Sequence, residues 1–580
     1  MLNINLKEHL ILIGDTIIIG IIGAVCAEFF ILLLDAISKF AMGDIVKYIP
    51  PDVINILHVD SNNHIKPYIL LLVISIGGLI SGILVYTFAP EAEGHGTDSV
   101  IRAFHRTGGY LRPIVTPIKI ISSAITIGTG GSAGREGPTA LFSAGIGSFY
   151  SSIKNSSLKK RRLYTLIAMA AGLSAVFKSP LGTAFFAVEV LYDKGEFKID
   201  ELVVILFGSL IAFVLTSFFF GWNPIFSIPS NLTTDNITFY IKMIIVGIFS
   251  GFISIVIPNI FYFIRDMFRN IKIKPHFKPM IGAFITGVIA INFPAVLGGG
   301  YGWIQNAIDG EVYWKLAIIL IVFKLLAFSF TIGSGGSGGV FAPTLFIGAM
   351  SGVLFSSILH ENTSILAIIS MATIFGAAAR TPLASVLMVT EMTGGYSLLA
   401  PTILAMFFAN TSHMFLSKLL KVKYTSLYEA QLININYSPF EQVKKIRDIL
   451  YCYSGIIKID PDEISDEKLL ELIEKGKPLE IKNNYALFFG TSTKDISLTN
   501  EKENKKFNNL YILYIFRDGK WYHLNKVDTI NKNDGVLLYG TLDDVRKTSS
   551  YFVRHSKIFS KLMKQHKNLE EEMKEKIPLK

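Results

Sequence analysis

Residues 126–141 read TIGTGGSAGREGPTAL, and residues 331–346 read TIGSGGSGGVFAPTLF, 205 positions further along the chain. When 126–153 is aligned with 331–358 without a gap, 14 of the 28 positions are identical. Chance similarity between two glycine-rich stretches does not explain identities that continue through the apolar segment that follows. The alignment predicts that one structural unit occurs twice.

Two more pairs of segments keep nearly the same offset. They are GHGTDSVI at 94–101 with GGGYGWIQ at 298–305, and SPLGTAFFAVEV at 179–190 with TPLASVLMVTEM at 381–392. In the second pair a proline is followed nine residues later by a glutamate in both copies, Pro180 to Glu189 and Pro382 to Glu391. Three collinear matches predict that the duplication covers most of the apolar part of the chain.

The composition indicates that this duplicated region lies in lipid. The chain is 51% hydrophobic and 17% charged, with a mean hydropathy of +0.46, whereas soluble domains carry about 25% charged residues. Because a spanning helix needs roughly 20 apolar residues, we expect a multi-pass membrane protein. Long or interrupted apolar runs occur at 10–34, 68–89, 114–127, 202–221, 238–264, 315–332, 340–358, 363–376 and 381–420.

The basic residues indicate that the two copies cross the bilayer in opposite directions. KNSSLKKRR at 154–162 follows the first copy, whereas LHENTS at 359–364, in the equivalent place, has no Lys or Arg. By the positive-inside rule, the first loop is cytoplasmic and the second is external. Four apolar segments later, an even number, a second basic loop at 265–278 is again expected in the cytoplasm. Inverted repeats with interrupted helices are typical of transporters.

The glycine-rich stretches predict helices that begin inside the membrane. A proline, Pro138 or Pro343, follows each stretch, and proline is favoured in the first turn of a helix because its missing N–H would be unpaired there. The free N–H groups and the helix dipole make such an end a binding site for an anion. Glycine in membrane helices also serves close packing, and this second interpretation stays open for either stretch alone.

One ionisable pair distinguishes the copies. The first has Arg135-Glu136 where the second has Val340-Phe341. Ionisable residues within a bilayer are costly and usually functional. A carboxylate at a helix N-terminus can occupy the position of an anion and leave it when protonated, so Glu136 is predicted to be a gate, a proton carrier or both. The alternative is an ion pair with Arg135 that only fixes the loop.

These motifs resemble those of the CLC family of chloride channels and chloride/proton exchangers. GREGP at 134–138, GGVFAP at 338–343 and the oppositely oriented halves carry the resemblance, which spans roughly residues 10–430. It implies an all-α polytopic membrane domain built from two inverted-topology repeats with broken helices. It also implies a homodimer in the lipid bilayer, with one pathway per subunit for chloride or a similar anion, and no cofactor.

The resemblance also implies which residues form the site. Glu136 corresponds to the gating glutamate that carries protons on the external side. A tyrosine after the last membrane helix is expected to contact the central anion; Tyr428 is our choice and Tyr424 the alternative. The residues implied to bind the anion are His95, Gly96, Gly134, Arg135, Gly137, Gly339, Val340, Phe341 and Tyr428.

Three positions depart from the family pattern. The first loop commonly reads GSGIP, but here His95 replaces the serine and Asp98 the proline. His95 could donate an N–H to the anion, or its ring could point elsewhere while the backbone binds. Val190 stands where many exchangers have an internal proton-relay glutamate, and Glu189 beside it is read as structural. Valine there resembles the channel members, although some exchangers of the family also lack this glutamate. Because Ile/Lys/Asn-rich, prokaryote-like chains of this family are more often exchangers, the resemblance implies a chloride/proton antiporter, with a passive voltage- or pH-gated chloride channel as the alternative.

The charge distribution divides the chain into domains. Residues 1–420 hold 27 Lys and Arg, and the final 160 hold 28. We expect a transmembrane domain over 1–430, with repeats at about 10–222 and 238–430, a cytosolic α+β domain over 431–560 and a charged tail over 561–580. Residues 511–547 resemble the C-terminal ligand-binding lobe of RCK/TrkA proteins, which implies a regulatory domain with a small-molecule ligand; a dimerisation cap without a ligand is the alternative.

Several other functions are not supported by the sequence. Two cysteines, Cys26 and Cys452, cannot form a metal cluster, and the chain has no His-Glu-x-x-His or comparable catalytic set. We therefore expect neither an enzyme nor a metal site. The formal charge of +10 is explained by Lys and Arg next to membrane spans, so no nucleic-acid partner is expected. The expected location is the cell membrane, with the C-terminus in the cytoplasm.

Overall fold

The chain forms two compact units, Met1–Gln431 and Leu432–Lys580. The computed structural model describes residues 6–51, 66–193, 198–229, 236–453, 461, 464–475, 478–480, 485–493, 495–497, 510–523, 527, 529–541, 545 and 552–554. The predicted charged tail at 561–580 lies outside the described residues. Among the described residues of the first unit, seven helices are long and apolar enough to cross a membrane.

The first unit contains sixteen α-helices in its described part, eight in each half of the sequence. The first eight are α1 (Leu6–Ser38, continued by a π-helical stretch Lys39–Val46), α2 (Pro67–Phe88), α3 (Thr97–Arg106), α4 (Val115–Gly128), α5 (Glu136–Ile153), α6 (Leu158–Phe177), α7 (Pro180–Glu189) and α8 (Ile199–Phe220). The second eight are α9 (Ile237–Asn270), α10 (Lys278–Asn292), α11 (Tyr301–Ile308), α12 (Trp314–Gly333), α13 (Phe341–Leu359), α14 (Thr363–Ala379), α15 (Pro382–Thr393) and α16 (Leu399–Leu419).

The packing of the two halves confirms the duplication. In the first half α1 packs on α8, α2 on α4, α5 on α6 and α6 on α8. In the second half α9 packs on α16, α10 on α12, α13 on α14 and α14 on α16, which are the equivalent pairs. The halves meet through equivalent helices, α2 with α10 and α7 with α15. The unit is therefore built from two repeats of one eight-helix arrangement.

The repeated proline–glutamate spacing builds a reciprocal cap between α7 and α15. The Glu391 carboxylate accepts hydrogen bonds from the Ser179 hydroxyl at 2.5 Å and from the Gly182 N–H at 2.9 Å, at the start of α7. The Glu189 carboxylate in turn accepts from the Ala384 N–H at 2.8 Å, at the start of α15. Each short helix thus satisfies N–H groups of its counterpart that lack a partner within the helix, as the structural reading of Glu189 requires.

We predict that Glu391→Ala destabilises the membrane unit by about 1–3 kcal/mol, because buried N–H groups of α7 lose their acceptor. The thermal unfolding midpoint of the purified protein in detergent should fall by a few degrees. Glu8→Ala, at an exposed position in the first turn of α1, is the matched control and should leave the midpoint in place. An unchanged midpoint for Glu391→Ala would contradict the capping role.

Helix boundaries differ from the apolar runs in two ways. The predicted run 381–420 is two helices, α15 and α16, because Gly394 adopts a left-handed conformation (φ 66°) that ends α15. Helices α6 and α10 were not among the predicted runs. α6 begins with the basic segment LKKRR, and α10 has only 15 residues, so neither forms a long uncharged run.

The second unit is a small α+β fold. It contains α17 (Pro439–Tyr453) and α18 (Asp466–Lys475). Its strands are β1 (Leu479–Glu480), β2 (Tyr485–Ser492), β3 (Ile496–Ser497), β4 (Leu510–Arg517), β5 (Lys520–His523), β6 (Thr529–Ile530), β7 (Gly535–Thr541) and β8 (Phe552–Arg554). The main antiparallel sheet has the order β1-β2-β7-β4-β5, with β8 also paired to β2, and β3 pairs with β6 separately.

Alternation along the central strands gives this sheet two buried faces. Leu487 and Phe489 of β2 pack in one apolar cluster with residues of α17 and α18, and the intervening Phe488 packs in a second cluster. The Arg-Asp-Gly turn noted in the sequence joins β4 to β5 through Asp518 (φ 50°) and Gly519 (φ 77°). Two positive φ values are typical of a two-residue hairpin loop.

Candidate functional site

The two glycine-rich stretches meet at equivalent residues. The Gly134 N–H donates to the Gly339 carbonyl at 2.7 Å, and the Gly339 N–H donates to the Gly134 carbonyl at 2.6 Å. Gly134 and Gly339 are 205 positions apart, the offset of the repeat, so the pair lies on the local two-fold axis that relates the copies. α5 and α13 begin immediately after it.

The loops that precede α3 and α11 each hydrogen-bond to the glycine-rich stretch of the other repeat. The Gly338 N–H donates to the Gly94 carbonyl at 3.3 Å, and in the equivalent place the Ala133 N–H donates to the Gly298 carbonyl at 3.2 Å. Gly94 precedes α3, and Gly298 precedes α11. The N-termini of four helices, α3, α5, α11 and α13, are thereby gathered around one buried region.

Two buried lysines, again 205 positions apart, hold these loops. The Lys119 ammonium donates to the carbonyls of Ala92 at 2.9 Å and Gly94 at 2.7 Å. The Lys324 ammonium donates to the carbonyls of Val296 at 2.9 Å and Gly298 at 2.8 Å. Both lysines are fully buried. These contacts fix the loops that lead into α3 and α11.

We predict that Lys119→Met lowers the stability of the membrane unit by about 1–3 kcal/mol, since two buried carbonyls lose a charged donor. Lys324→Met should cost a similar amount because its contacts are equivalent. Thermal unfolding in detergent measures both, with the exposed Lys315→Met as the control. If the buried variants unfold at the same temperature as this control, the lysines do not hold the loops.

A cavity lies where these helix starts converge. It is lined by Thr97, Glu136, Gly137, Leu173, Phe177, Phe186, Val340, Phe341, Met388 and Tyr428. Five of the residues predicted for the site are therefore brought together here: Glu136, Gly137, Val340, Phe341 and Tyr428. His95, Gly96, Gly134, Arg135 and Gly339, by contrast, are not part of the lining, although all five are buried.

Glu136 is 3% exposed, and its carboxylate reaches from α5 to the second repeat. One oxygen accepts a hydrogen bond from the Tyr301 hydroxyl, at the start of α11. The other lies 3.5 Å from the Ala342 N–H, in the first turn of α13. The carboxylate thus lies at a helix N-terminus, a position that favours negative charge.

Arg135, the neighbour considered as an ion-pair partner of Glu136, faces the same tyrosine. Its guanidinium carbon lies 4.7 Å from the centroid of the Tyr301 ring, a cation–π distance. Its Nε atom is buried without a hydrogen-bond partner. Tyr301 therefore contacts both residues that distinguish the first glycine-rich stretch from the second.

The two candidate tyrosines lie in different surroundings. Tyr428 lines the cavity and is 2% exposed. The Tyr424 hydroxyl instead donates to Asp266 at 2.6 Å, and its ring lies 4.5 Å from that of Tyr262. Of the two alternatives, Tyr428 has the position that contact with an anion in the cavity requires.

Some residues of the site were missed by sequence reasoning. Tyr301 and Thr97 occupy equivalent places in the loose repeat match, GGGYG against GHGTD, so aligning the loops would have identified Tyr301. Lys119 and Lys324 obey the repeat offset and could have been found in the same way. The apolar lining residues Leu173, Phe177, Phe186 and Met388 carry no signal, because nearly every residue of a membrane helix is apolar.

The family of the chain follows from its sequence over this region. Residues 77–413 match the family described as Voltage gated chloride channel. The chain belongs to this family, which is the CLC family. It is a multi-pass membrane protein of a family that transports anions.

Relatives and solved CLC structures agree with this assignment. The chain is 30% identical over 325 residues to an uncharacterized protein of Methanocaldococcus jannaschii, covering 56% of this chain and 80% of the relative. It is 26% identical over 356 residues to the Escherichia coli voltage-gated ClC-type chloride channel ClcB, covering 60% of this chain and 84% of the relative.

Two crystal structures share the fold. A slow cyanobacterial Cl⁻/H⁺ antiporter matches with a TM-score of 0.61 and 23% identity, covering 70% of this chain and 94% of the other. A CLC-type fluoride/proton antiporter matches with a TM-score of 0.63 and 21% identity, covering 74% of this chain and 100% of the other. At these identities the likeness concerns the CLC transporter fold.

Proposed function

We propose that this CLC protein exchanges chloride for protons through the cavity lined by Glu136, Phe341 and Tyr428. The observation that carries the proposal is the position of the Glu136 carboxylate, buried against the Ala342 N–H at the start of α13. An ionised carboxylate and a chloride ion compete for this helix end. Protonation removes the charge of Glu136, so the anion gains the site while Glu136 holds a proton.

The amides of the helix starts supply the rest of the proposed binding site. Gly137, Val340 and Phe341 line the cavity, and helix N-termini attract an anion through their dipoles and free N–H groups. A weak site of this kind permits release as well as binding, as conduction requires. Gly134 and Gly339 fix the two stretches against each other. His95, Gly96 and Arg135 support the loops from behind the lining.

A passive chloride channel is the second candidate. Val190 is fully buried and apolar, so it cannot carry a proton at the position where many exchangers of the family have a glutamate. In a channel, Glu136 would only open and close the pathway. The E. coli relative is named a voltage-gated chloride channel, which agrees with this reading.

Reconstitution of the purified full-length chain into liposomes distinguishes the two candidates. With a chloride gradient and no initial pH gradient, an antiporter moves protons in the direction opposite to chloride and builds up a pH gradient, which a pH electrode records. A channel dissipates the chloride gradient without uphill proton movement. Liposomes without protein give the background, and replacing chloride by nitrate or fluoride in the same assay identifies the preferred anion.

We further propose a homodimer in the cell membrane, with residues 1–430 as transport domain and the cytosolic 431–560 as regulatory domain. The basic loops 154–162 and 265–278 support a cytoplasmic C-terminus. Light scattering in detergent measures the subunit number. A green fluorescent protein fused after Lys580 should fluoresce only if the C-terminus is cytoplasmic.

The role of the C-terminal unit has two candidates. If the unit resembles RCK/TrkA domains in function, it binds a small-molecule ligand that changes the transport rate. If it is a dimerisation cap, it holds two subunits together and binds no ligand. Flux measured with and without candidate nucleotides or ions addresses the first. Truncation after residue 431, followed by light scattering, addresses the second, because loss of a dimerisation cap lowers the subunit number.

A further inference from the structure

His95 has a fixed backbone directly behind the cavity. It lies between Gly94 (φ 69°) and Gly96 (φ 85°), and the Lys119 ammonium holds the Gly94 carbonyl at 2.7 Å. The carbonyl group of His95 packs so closely on Gly137 that a Cβ there would collide with it. The backbone of His95 therefore cannot move away from the start of α5 without breaking the loop that forms the site.

The two ring nitrogens of His95 have different surroundings. Nε2 lies 3.4 Å from the Asp98 carboxylate, which also accepts from the Ala430 N–H at 3.1 Å. Nδ1 is buried without a hydrogen-bond partner, and the whole residue is only 6% exposed. A buried polar atom left without a partner requires an explanation. Nε2 thus lies next to the Asp98 carboxylate, whereas Nδ1 has no partner. A histidine in this arrangement is suited to taking up and releasing a proton at Nδ1.

The ring also lies next to the cavity wall. Its centroid is 5.5 Å from that of Tyr428, which lines the cavity together with Glu136. The other polar lining residue in the described chain is Thr97, two positions after His95. Neither a threonine nor a tyrosine hydroxyl readily exchanges a proton near neutral pH. Val190 provides no titratable group, so a proton that reaches Glu136 must arrive through another side chain or through water.

We propose that His95, oriented by Asp98, is the second proton-carrying residue of this transporter, with Tyr428 between it and Glu136. The inference rests on the antiport proposed above. In the forward step, the imidazolium of His95 releases its Nδ1 proton to a water admitted between its ring and the cavity wall at Tyr428, and a proton passes along water in the cavity to the Glu136 carboxylate. His95 becomes neutral, Glu136 becomes neutral, and the aqueous phase on the His95 side returns a proton to Nδ1.

Charged and titratable groups from several helices surround the His95–Asp98 pair. The titratable and charged groups recorded against the His95–Asp98 pair are Arg102 on α3, Tyr262 on α9 and Tyr428 after α16, and Lys119 on α4 binds the adjoining Gly94 carbonyl. The Asp98 carboxylate lies 3.5 Å from the Arg102 guanidinium and offsets its charge. Protonated His95 forms an ion pair with Asp98, which keeps the added charge close to its counter-charge in a region of low dielectric constant.

The test uses full-length protein in liposomes, with chloride and proton fluxes recorded together under a chloride gradient. His95→Gln cannot carry a proton, and its ratio of protons to chloride should fall at least fivefold below the wild-type ratio. The exposed His360→Gln is the matched control and should keep that ratio. A wild-type ratio in His95→Gln overturns the inference and leaves antiport intact, whereas absence of uphill proton movement in the wild type overturns antiport itself.

Asp98→Asn provides a second variant that retains the imidazole. Without the carboxylate, protonated His95 is less stable, so the pH at which coupled proton flux is half-maximal should move about one unit lower. A merely structural role for Asp98 would change the amount of folded protein or the total flux but not this pH. An unchanged pH profile overturns the pairing of His95 with Asp98.

Discussion

Glu136→Gln is expected to abolish uphill proton movement while chloride flux continues and no longer depends on pH. Glutamine has nearly the shape of glutamate and still presents an oxygen to the Tyr301 hydroxyl, so the fold should be retained. It can neither ionise nor bind a proton. The glutamine amide has no negative charge, so it does not compete with chloride at the Ala342 N–H. In the wild type this competition depends on pH, because only the ionised form of Glu136 competes.

We expect the proton flux of Glu136→Gln to fall at least tenfold, to the level of liposomes without protein. Flux is measured at several pH values with electrodes for both ions. Glu8→Gln, an exposed substitution of the same kind at the start of α1, should behave as the wild type does. If the glutamine variant retains both the proton flux and its pH dependence, Glu136 is neither the gate nor the proton carrier.

The sequence predicted the parts of the site that depend on backbone repetition. Because both copies share the glycine loop and its following proline, convergence of the two stretches could be inferred, and the Gly134–Gly339 pair lies at the expected offset. Glu136 was identified because the first copy has an acidic residue where the second has Phe341. The family resemblance, rather than any pattern, selected Tyr428 over the many other tyrosines.

Side-chain direction was not predictable from the same patterns. His95 was considered as a donor to the anion, but its ring lies against Asp98 and outside the cavity lining. The choice depends on the positive φ values of Gly94 and Gly96, which no residue pattern specifies. The lining from α6 and α7, including Phe177 and Phe186, depends on which face of a uniformly apolar helix turns inward.

Reciprocal contacts also required the structure. The sequence showed that Glu189 and Glu391 share a spacing from a proline, yet it could not show that each caps the other's helix. Such a contact exists only because the two repeats are inverted about a shared axis. Repetition in the sequence therefore indicates equivalent positions, whereas contacts between the copies follow from how they pack.

Gly137→Ala is the substitution we expect to damage anion transport most by its volume alone. A Cβ at this position would lie 3.0 Å from Gly339 Cα and closer still to the His95 carbonyl oxygen. Both obstacles are backbone atoms, so no side-chain rotation can relieve the clash. The methyl group must push the first loop or the second glycine-rich stretch away from the start of α5.

The displaced loops would no longer direct their N–H groups at one point, so we expect chloride flux per folded protein to fall at least tenfold. Overpacking of this kind also costs about 1–3 kcal/mol of stability. Gly14→Ala in α1 is the matched control, because a Cβ there meets nothing within 4 Å and alanine favours a helix over glycine. Flux in liposomes and thermal unfolding in detergent are compared for both variants. Wild-type flux in Gly137→Ala would mean that close approach of the three backbone segments does not form the anion site.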